Sequence, residues 1–278
     1  MGERQTTKFT LVLAVMITAG AILCLFPNLT QAQSTRDLTP VQAEIERQQQ
    51  RLSSGDEEDR RDALMRLAAL HRVAASRAAL PALSDSSPII RVTAAKAILS
   101  LDPAESATAL LPLLNDKDEF VRREVSYTLG LTRSRIATAA LSERLLNDKE
   151  AGVRGAAAVA LGKIADEAAV IALASTLAPE LSAPTKSKRK REVNDFVLRA
   201  AAEALGQIKS RAGVPALLSA VGNEKLASDV RREAVRALGL IGDPSAIPAL
   251  KSASTSEDPF LSQLAHESLR KLSRSSTP

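Results

Sequence analysis

A ten-residue pattern, apolar-Arg-x-x-small-x-x-small-Leu-Gly, occurs seven times between Asp59 and Arg270 and returns about every 31 residues. Its anchors are Asp59, Ile90, Val121, Val153, Val197, Val230 and Leu261, giving steps of 31, 31, 32, 44, 33 and 31 residues. Four residues after each anchor stand Ala63, Ala94, Val125, Ala157, Ala201, Ala234 and Ala265. Eight residues after it stand Leu67, Ile98, Leu129, Leu161, Leu205, Leu238 and Leu269. Offsets of 0, +4 and +8 share one face of an α-helix, because residues four apart lie one turn above each other. At +7 six of the seven copies carry a small residue, Ala97, Thr128, Ala160, Ala204, Ala237 or Ser268, which keeps that face thin enough for helices to approach closely.

Gly130, Gly162, Gly206 and Gly239 follow the +8 leucine, where a glycine is expected to take the left-handed conformation that ends a helix. A turn such as Gly242-Asp243-Pro244 leads into a second apolar segment, as in Ala246-Ile247-Pro248-Ala249-Leu250 and Gly213-Val214-Pro215-Ala216-Leu217. Proline is tolerated in a first helical turn, where its missing N–H had no partner. The unit is therefore a helical hairpin, and one hairpin of this size has no partner for both of its apolar faces. Neighbouring copies must stack to share a core. The predicted fold is all-α, a right-handed α-solenoid of about seven hairpins.

The run from Asp118 to Gly130, and the run from Val230 through Leu238-Gly239 to Pro244, resemble HEAT repeats, in particular the short HEAT-like class named after the phycobilin lyases. The resemblance spans roughly residues 40 to 272. It implies a superhelix that in most such proteins is a protein-binding scaffold and in a minority a lyase, a hydroxylase or a DNA-repair enzyme; fold alone assigns no activity. It also implies a ladder of Arg and acid pairs joining successive hairpins. Here Arg60, Arg91, Arg122, Arg154 and Arg231 stand at +1, with Leu198 and Ser262 as departures. Asp56, Asp118, Glu150, Asn194 and Asp258 stand three before the anchor, where they also suit a helix N-terminus. The Arg row is read as part of the fold, with an anion-binding track as the competing reading.

Arg4 and Lys8 precede an 18-residue apolar stretch from Phe9 to Phe26, and Thr30-Gln31-Ala32 follows as a small-x-small site. Residues 1–32 are expected to be a secretory signal peptide cut before Gln33, or an uncleaved membrane anchor of sufficient length. In both cases the body faces outward, because the basic residues favour the cytoplasmic side. The expected location is extracytoplasmic, periplasmic or secreted. The one cysteine, Cys24, lies inside this segment, so a mature chain has no disulfide. Residues 33–38 read as a linker, 39–272 as the array and 273–278 as a disordered tail. Thr39-Pro40-Val41-Gln42 has the form of a capping box opening a polar terminal helix.

The one long step holds an insertion at 178–194, whose two prolines and charge run read as an exposed loop. Lys186, Lys188, Arg189, Lys190 and Arg191, against Glu180 and Glu192, supply +3 of the formal +5. The array itself is nearly neutral, whereas a protein tracking nucleic acid spreads basic residues along one face. No nucleic acid is expected. The loop is read as solvated, with contact to an anionic surface as its functional alternative.

Catalytic signatures are sparse. His71 and His266 have no second histidine at metal-ligand spacing. His266-Glu267 is similar to the His-Glu pairs of the HEAT-like deoxyhypusine hydroxylases, which use several such pairs for a di-iron centre; one stands here. The expectation is no catalytic residue, no metal, no cofactor and a non-enzymatic, monomeric scaffold for a protein partner of unknown identity. The alternative is a HEAT-like lyase-type enzyme or enzyme subunit acting on a modified or cofactor-bearing protein. Phe120, Phe196 and Phe260 each precede an anchor and are expected to pack between hairpins. With 0, +4 and +8 buried, offsets +2, +3 and +6 face outward, which nominates Arg123, Glu124, Tyr127, Arg232, Glu233 and Arg236 as the protein-binding surface.

Overall fold

The computed structural model describes residues 39–178 and 194–275. The leader at 1–32, the linker at 33–38, the basic residues Lys186, Lys188, Arg189, Lys190 and Arg191, and residues 276–278 lie outside the described residues. Fourteen α-helices and no strand are present among the described residues: α1 (Pro40–Arg51), α2 (Glu57–Ala69), α3 (Val73–Ala79), α4 (Pro88–Ala97), α5 (Pro103–Leu110), α6 (Glu119–Thr132), α7 (Thr138–Asn147), α8 (Ala151–Ile164), α9 (Val170–Leu177), α10 (Asp195–Ile208), α11 (Val214–Gly222), α12 (Ser228–Ile241), α13 (Ile247–Ala253) and α14 (Pro259–Ser275). At the start of α1, Thr39 N–H donates to Gln42 Oε1 at 2.9 Å and Gln42 N–H donates to Thr39 Oγ1 at 3.3 Å, a reciprocal capping box.

The even-numbered helices carry the ten-residue pattern. From α2 to α14 each packs on the next, while α7, α9, α11 and α13 form a second row beside them. The fold is an α-solenoid. Every apolar anchor and every +4 residue is at most 3% exposed, so the 31-residue register maps directly onto one continuous core. Two departures occur at the ends of the array. Asp59 is half-buried and receives the Arg51 guanidinium, and Leu269, on the last described helix, is only partly covered. Prolines shape the odd-numbered row: α3 and α5 tighten at Pro81 and Pro112 into 3-10 turns, Leu80–Ser84 and Leu111–Asn115. A residue without an N–H ends the regular ladder there.

The glycines after the +8 leucines are not caps. Gly130, Gly162, Gly206 and Gly239 lie inside α6, α8, α10 and α12, and the left-handed residues come three positions later as Arg133, Ala165, Lys209 and Gly242, with φ between 53° and 73°. What the interior glycines provide is proximity. A Cβ on Gly130 would stand 2.8 Å from Ala160 Cα, one on Gly162 2.9 Å from Ala204 Cα, and one on Gly206 2.9 Å from Ala237 Cα. Each +9 glycine thus lies against the small +7 residue of the next copy, backbone on backbone.

The ladder exists; between the last two hairpins its acid is Asp258, three before the anchor, but in the first three rungs the acids stand elsewhere. Arg60, Arg91 and Arg122 each donate through Nε and Nη2 to Asp85, Asp116 and Asp148, five before the next anchor, at 2.7–3.1 Å. The Nη1 of Arg60, Arg91, Arg122 and Arg154 donates to two carbonyls of the turn opening its own helix. One guanidinium therefore ties its own hairpin to the next. Asp56, Asp118 and Asn194 instead accept from the first-turn N–H groups of their helices, and Asp258 does so as well as receiving a guanidinium. Their short side chains serve as N-caps, leaving the longer reach between copies to arginine.

The last described copy departs from the pattern. Ser262 stands in the Arg slot and donates to Ser254 O at 2.6 Å, while Arg270 occupies the close-contact position that glycine holds in the four preceding copies. Residues 273–275, expected to fray, continue α14, because buried Leu272 holds the final turn to the core.

Candidate functional site

The solvent side of the even-numbered helices carries the offsets −1, +2, +3 and +6. The six nominated residues fall there in two groups, one on α6 and one on α12, separated by α8 and α10. Five of the six are half-buried and only Arg236 is exposed, so the face is less open than the register alone suggests. Side chains of adjacent copies supply the cover.

On α6, Arg123 lies over the Phe120 ring, 5.4 Å from its centroid, and approaches Glu124 at 3.4 Å. Lys96 reaches the same carboxylate from α4 at 3.3 Å. The Arg123 stem passes over Gly152 of α8, and the Phe196 ring of α10 lies on Gly155, where any Cβ would collide with it. Two glycines in the first turns of α8 thus make room for side chains of both neighbours.

On α12, Arg232 donates to both Asp258 oxygens at 2.8 and 2.9 Å and stacks over Phe260, 5.0 Å from its centroid. It is a substitute rung between the last two hairpins, where Arg231 donates instead to Val221 O. Phe120 packs against the core and the Phe196 ring lies on Gly155 of the neighbouring hairpin, as expected, but the cover is partial: Phe196 is 38% and Phe260 62% exposed. Position −1 lies in the first helical turn, at the rim of the buried stripe, and there the rings are covered by guanidinium groups on one side.

Arg199, Asp229, Arg232, Glu233, Arg236, Phe260, Gln263 and Leu264 line a cavity of about 370 Å³ on α10, α12 and α14. Glu233 is its most enclosed carboxylate. Burial pushes its carboxyl above the ordinary range, the Arg236 charge pulls it down, Glu203 raises it and Arg199 lowers it. Arg236 comes only to 3.6 Å from Glu233, and Arg199 only to 3.9 Å from Asp229. Both exceed hydrogen-bond length. Arg199 and Phe260 were absent from the nominated set, although Arg199 shares the +2 offset with Arg123 and Arg232 and was recoverable from the register.

A second cavity, of about 540 Å³, opens at the turns after α8 and α10 among Arg135, Asp166, Glu167, Lys209 and Arg211. Its two carboxylates and Arg211 are engaged with neighbouring groups. Ser210 donates to Glu167 at 2.9 Å, Thr138 to Asp166 at 2.8 Å, and Arg211 approaches Asp243 at 3.4 Å. His71 and His266 are exposed, and no group of three or more metal-ligating side chains is assembled among the described residues. No described helix is long and apolar enough to cross a membrane; the stretch 9–26 is outside them.

A family model for HEAT repeats matches residues 45–128, 108–186 and 190–270, which covers the stacked hairpins almost end to end. The chain belongs to the HEAT repeat family. Among solved structures, this HEAT array is similar to an engineered protein at 21% identity and a TM-score of 0.53, over 82% of this chain and 68% of that one. It is similar to human deoxyhypusine hydroxylase at 19% identity and a TM-score of 0.41, over 84% and 96% of the two chains. It also resembles the complex of CpcE and CpcF of phycocyanin lyase from Nostoc sp. at 21% identity and a TM-score of 0.45, over 89% and 96%. At such identities the likeness is one of fold. No curated protein matches the chain.

These comparisons correct one expectation. A hydroxylase and a lyase stand among the proteins this array is similar to, so the reading of the chain as a non-enzyme is withdrawn. Stacked hairpins leave their solvent faces free to evolve, and the repeat argues neither for nor against catalysis.

Proposed function

We propose that this HEAT array is an exported protein-binding module that holds a partner along the solvent face of its even-numbered helices, with the cavity between α10, α12 and α14 as the principal contact. The observation that carries the reading is the cavity's composition: an exposed aromatic ring, an apolar Leu264 wall and the accessible guanidinium groups of Arg199 and Arg236, ion-paired to Asp229 and Glu233 at 3.9 and 3.6 Å. Interface hot spots are enriched in aromatic residues and arginine. Export is read from the basic, apolar and small-x-small order of residues 1–32, and the basic run from Lys186 to Arg191 is assigned a secondary contact with an anionic surface.

A photo-crosslinking residue at Gln263, in the native host with mass-spectrometric identification of captured neighbours, tests the reading. The same residue at exposed Ile171, on α9, serves as the off-face control. A defined protein captured from position 263 alone supports it; equal capture from both positions, or none, sinks it.

Glu233 favours a second reading, in which the array is an enzyme or enzyme subunit acting on a modified or cofactor-bearing protein. A partly buried carboxyl held toward its protonated form inside a cavity is the type of group acid–base chemistry uses. Metal and chromophore assays on the captured complex, repeated with Glu233→Gln, separate the readings, since only the catalytic one loses turnover while keeping the partner.

A further inference from the structure

We infer that Arg154 of α8, with the N–H of Asn194 before α10, forms a binding site for a carboxylate supplied from outside the chain. The site is separate from the cavity on α10, α12 and α14 and does not depend on the protein-binding reading above.

The array itself shows what such a guanidinium holds. In the first three copies Nη1 is spent on the turn carbonyls of its own helix, and the other edge of the fork, Nε with Nη2, grips an aspartate at 2.7–3.1 Å. The backbone completes each cradle: the N–H groups of Ser87, Asp118 and Glu150 donate to the same three carboxylates at 2.8–3.0 Å. Two guanidinium N–H groups and one backbone N–H thus receive one carboxylate, in three successive copies.

Arg154 is seated in the same way. Its Nη1 donates to Asp148 O and Lys149 O, both at 3.1 Å, and it is 6% exposed, as Arg91 and Arg122 are. Its Nε and Nη2, however, make no hydrogen bond or ion pair to any described residue. Asn194 stands three before the anchor Val197, as Ser87, Asp118 and Glu150 stand three before theirs, and its N–H likewise has no acceptor among the described residues. Neighbouring acids are committed: Asp148 to Arg122 at 2.8 Å, Glu143 to Arg144 at 2.7 Å and Glu150 to Lys149 at 3.7 Å. No ion pair joins exposed Asp195 to Arg154. Ser142 Oγ is the one polar side-chain atom fully buried without a partner among the described residues, so the free edge of Arg154 is open to solvent.

Geometry selects the occupant. The Nε and Nη2 edge matches the two oxygens of a planar carboxylate, the group it holds in the three preceding copies. So enclosed an arginine favours the carboxylate end of a short acid or of a projecting side chain over a bulky polyanion. Glu192 has the register of the ladder aspartates, five before the anchor, and lies outside the described residues. It is therefore the internal competitor to exclude.

The test is an NMR titration of the intact, isotope-labelled chain with acetate, read at the arginine Nε–H resonances at about pH 6.5, where acetate is ionised, against sodium chloride at equal ionic strength. The Arg154 resonance is assigned by its loss in Arg154→Lys, or through its own side-chain correlations where that variant does not fold. It is expected to shift saturably with acetate and not with chloride, while those of Arg60, Arg91 and Arg122 stay in place. A blocked Gly-Asp-Gly peptide presents the same group on a side chain: tighter binding than acetate assigns the source to a protein, equal or weaker binding to a small acid. Glu192→Gln is expected to leave the ligand-free Arg154 resonance and its titration unchanged. Phosphate binding as well as acetate overturns the carboxylate assignment. An Arg154 resonance that ignores acetate, or that moves in Glu192→Gln before any ligand is added, overturns the site itself, the second result because the chain then supplies its own carboxylate. None of these outcomes bears on capture from position 263.

Discussion

Gly130 of α6 meets Ala160 of α8 backbone to backbone, so closely that a Cβ on the glycine would stand 2.8 Å from the alanine Cα. The contact recurs from copy to copy and sets how tightly the even-numbered row is packed. In an isolated helix Gly→Ala gains about 1 kcal/mol of propensity. Here the added methyl has backbone in its path, and overpacking of this kind costs about 1–3 kcal/mol. Gly130→Ala and Gly162→Ala are therefore expected to lower stability in chemical denaturation, whereas Gly55→Ala, with nothing within 4 Å, stays within about 0.5 kcal/mol of wild type. Stabilisation by Gly130→Ala would contradict the close-contact role.

Arg122 and Asp148 are the most enclosed rung of the ladder, with side chains 7% and 2% exposed. Removing one partner of a buried pair leaves the other charge without compensation, at a cost of about 3–5 kcal/mol. Arg122→Ala should lower the melting temperature sharply, while the double replacement Arg122→Met with Asp148→Leu recovers much of the loss. Partner capture from position 263 should be untouched in any variant that stays folded. The reverse pattern, normal stability with lost binding, would restore the anion-track reading of the Arg row.

Acid should unfold the array through the same rungs. Burial alone would raise the carboxyls of Asp85, Asp116 and Asp148, but arginine and backbone N–H hydrogen bonds more than offset it and hold all three below the ordinary carboxylate range. A depressed folded-state value means the stabilisation is complete above the unfolded value of about 3.9 and is lost as pH falls through the folded one. Denaturation midpoints are expected to be flat above about pH 5 and to drop steeply below about pH 4. Glu233 has the opposite sign: its raised carboxyl is most favourable below about 4.3, and its contribution is lost as pH rises through the folded value. Glu233→Gln should then stabilise the chain at neutral pH and lose that advantage near pH 4.

How far the sequence carried these conclusions depended on the range of each interaction. The core was legible because burial follows helical period, and the residues at 0, +4 and +8 needed no tertiary knowledge. The role of the glycines was not, since a glycine after a leucine has the same spelling whether it ends a helix or admits a neighbouring backbone. The ladder was half legible. Its arginines stood in register, and their acids lay 25 or 26 residues on, a spacing masked by the N-capping Asp118 and Asp258 nearby. The cavity depended on three helices at once, and only the shared +2 offset of Arg199 and Arg232 marked it in one dimension.

The left-handed residues after the even-numbered helices give a last measurement. Ala165 and Lys209 have φ of 55° and 59°, and their N–H groups donate to Leu161 O and Leu205 O at 3.0 and 3.1 Å. Gly242 does the same to Leu238 O at 3.0 Å with φ of 73°. A side chain in this region costs about 1–2 kcal/mol, partly returned by its smaller loss of chain entropy relative to glycine. Ala165→Gly, at an exposed site with no packing to lose, should therefore raise stability by about 0.5–1 kcal/mol, and Gly242→Ala should lower it by a similar amount. Measured together by urea denaturation, the two should shift the midpoint in opposite directions. Equal shifts in one direction would mean that the +12 position is not what ends these helices.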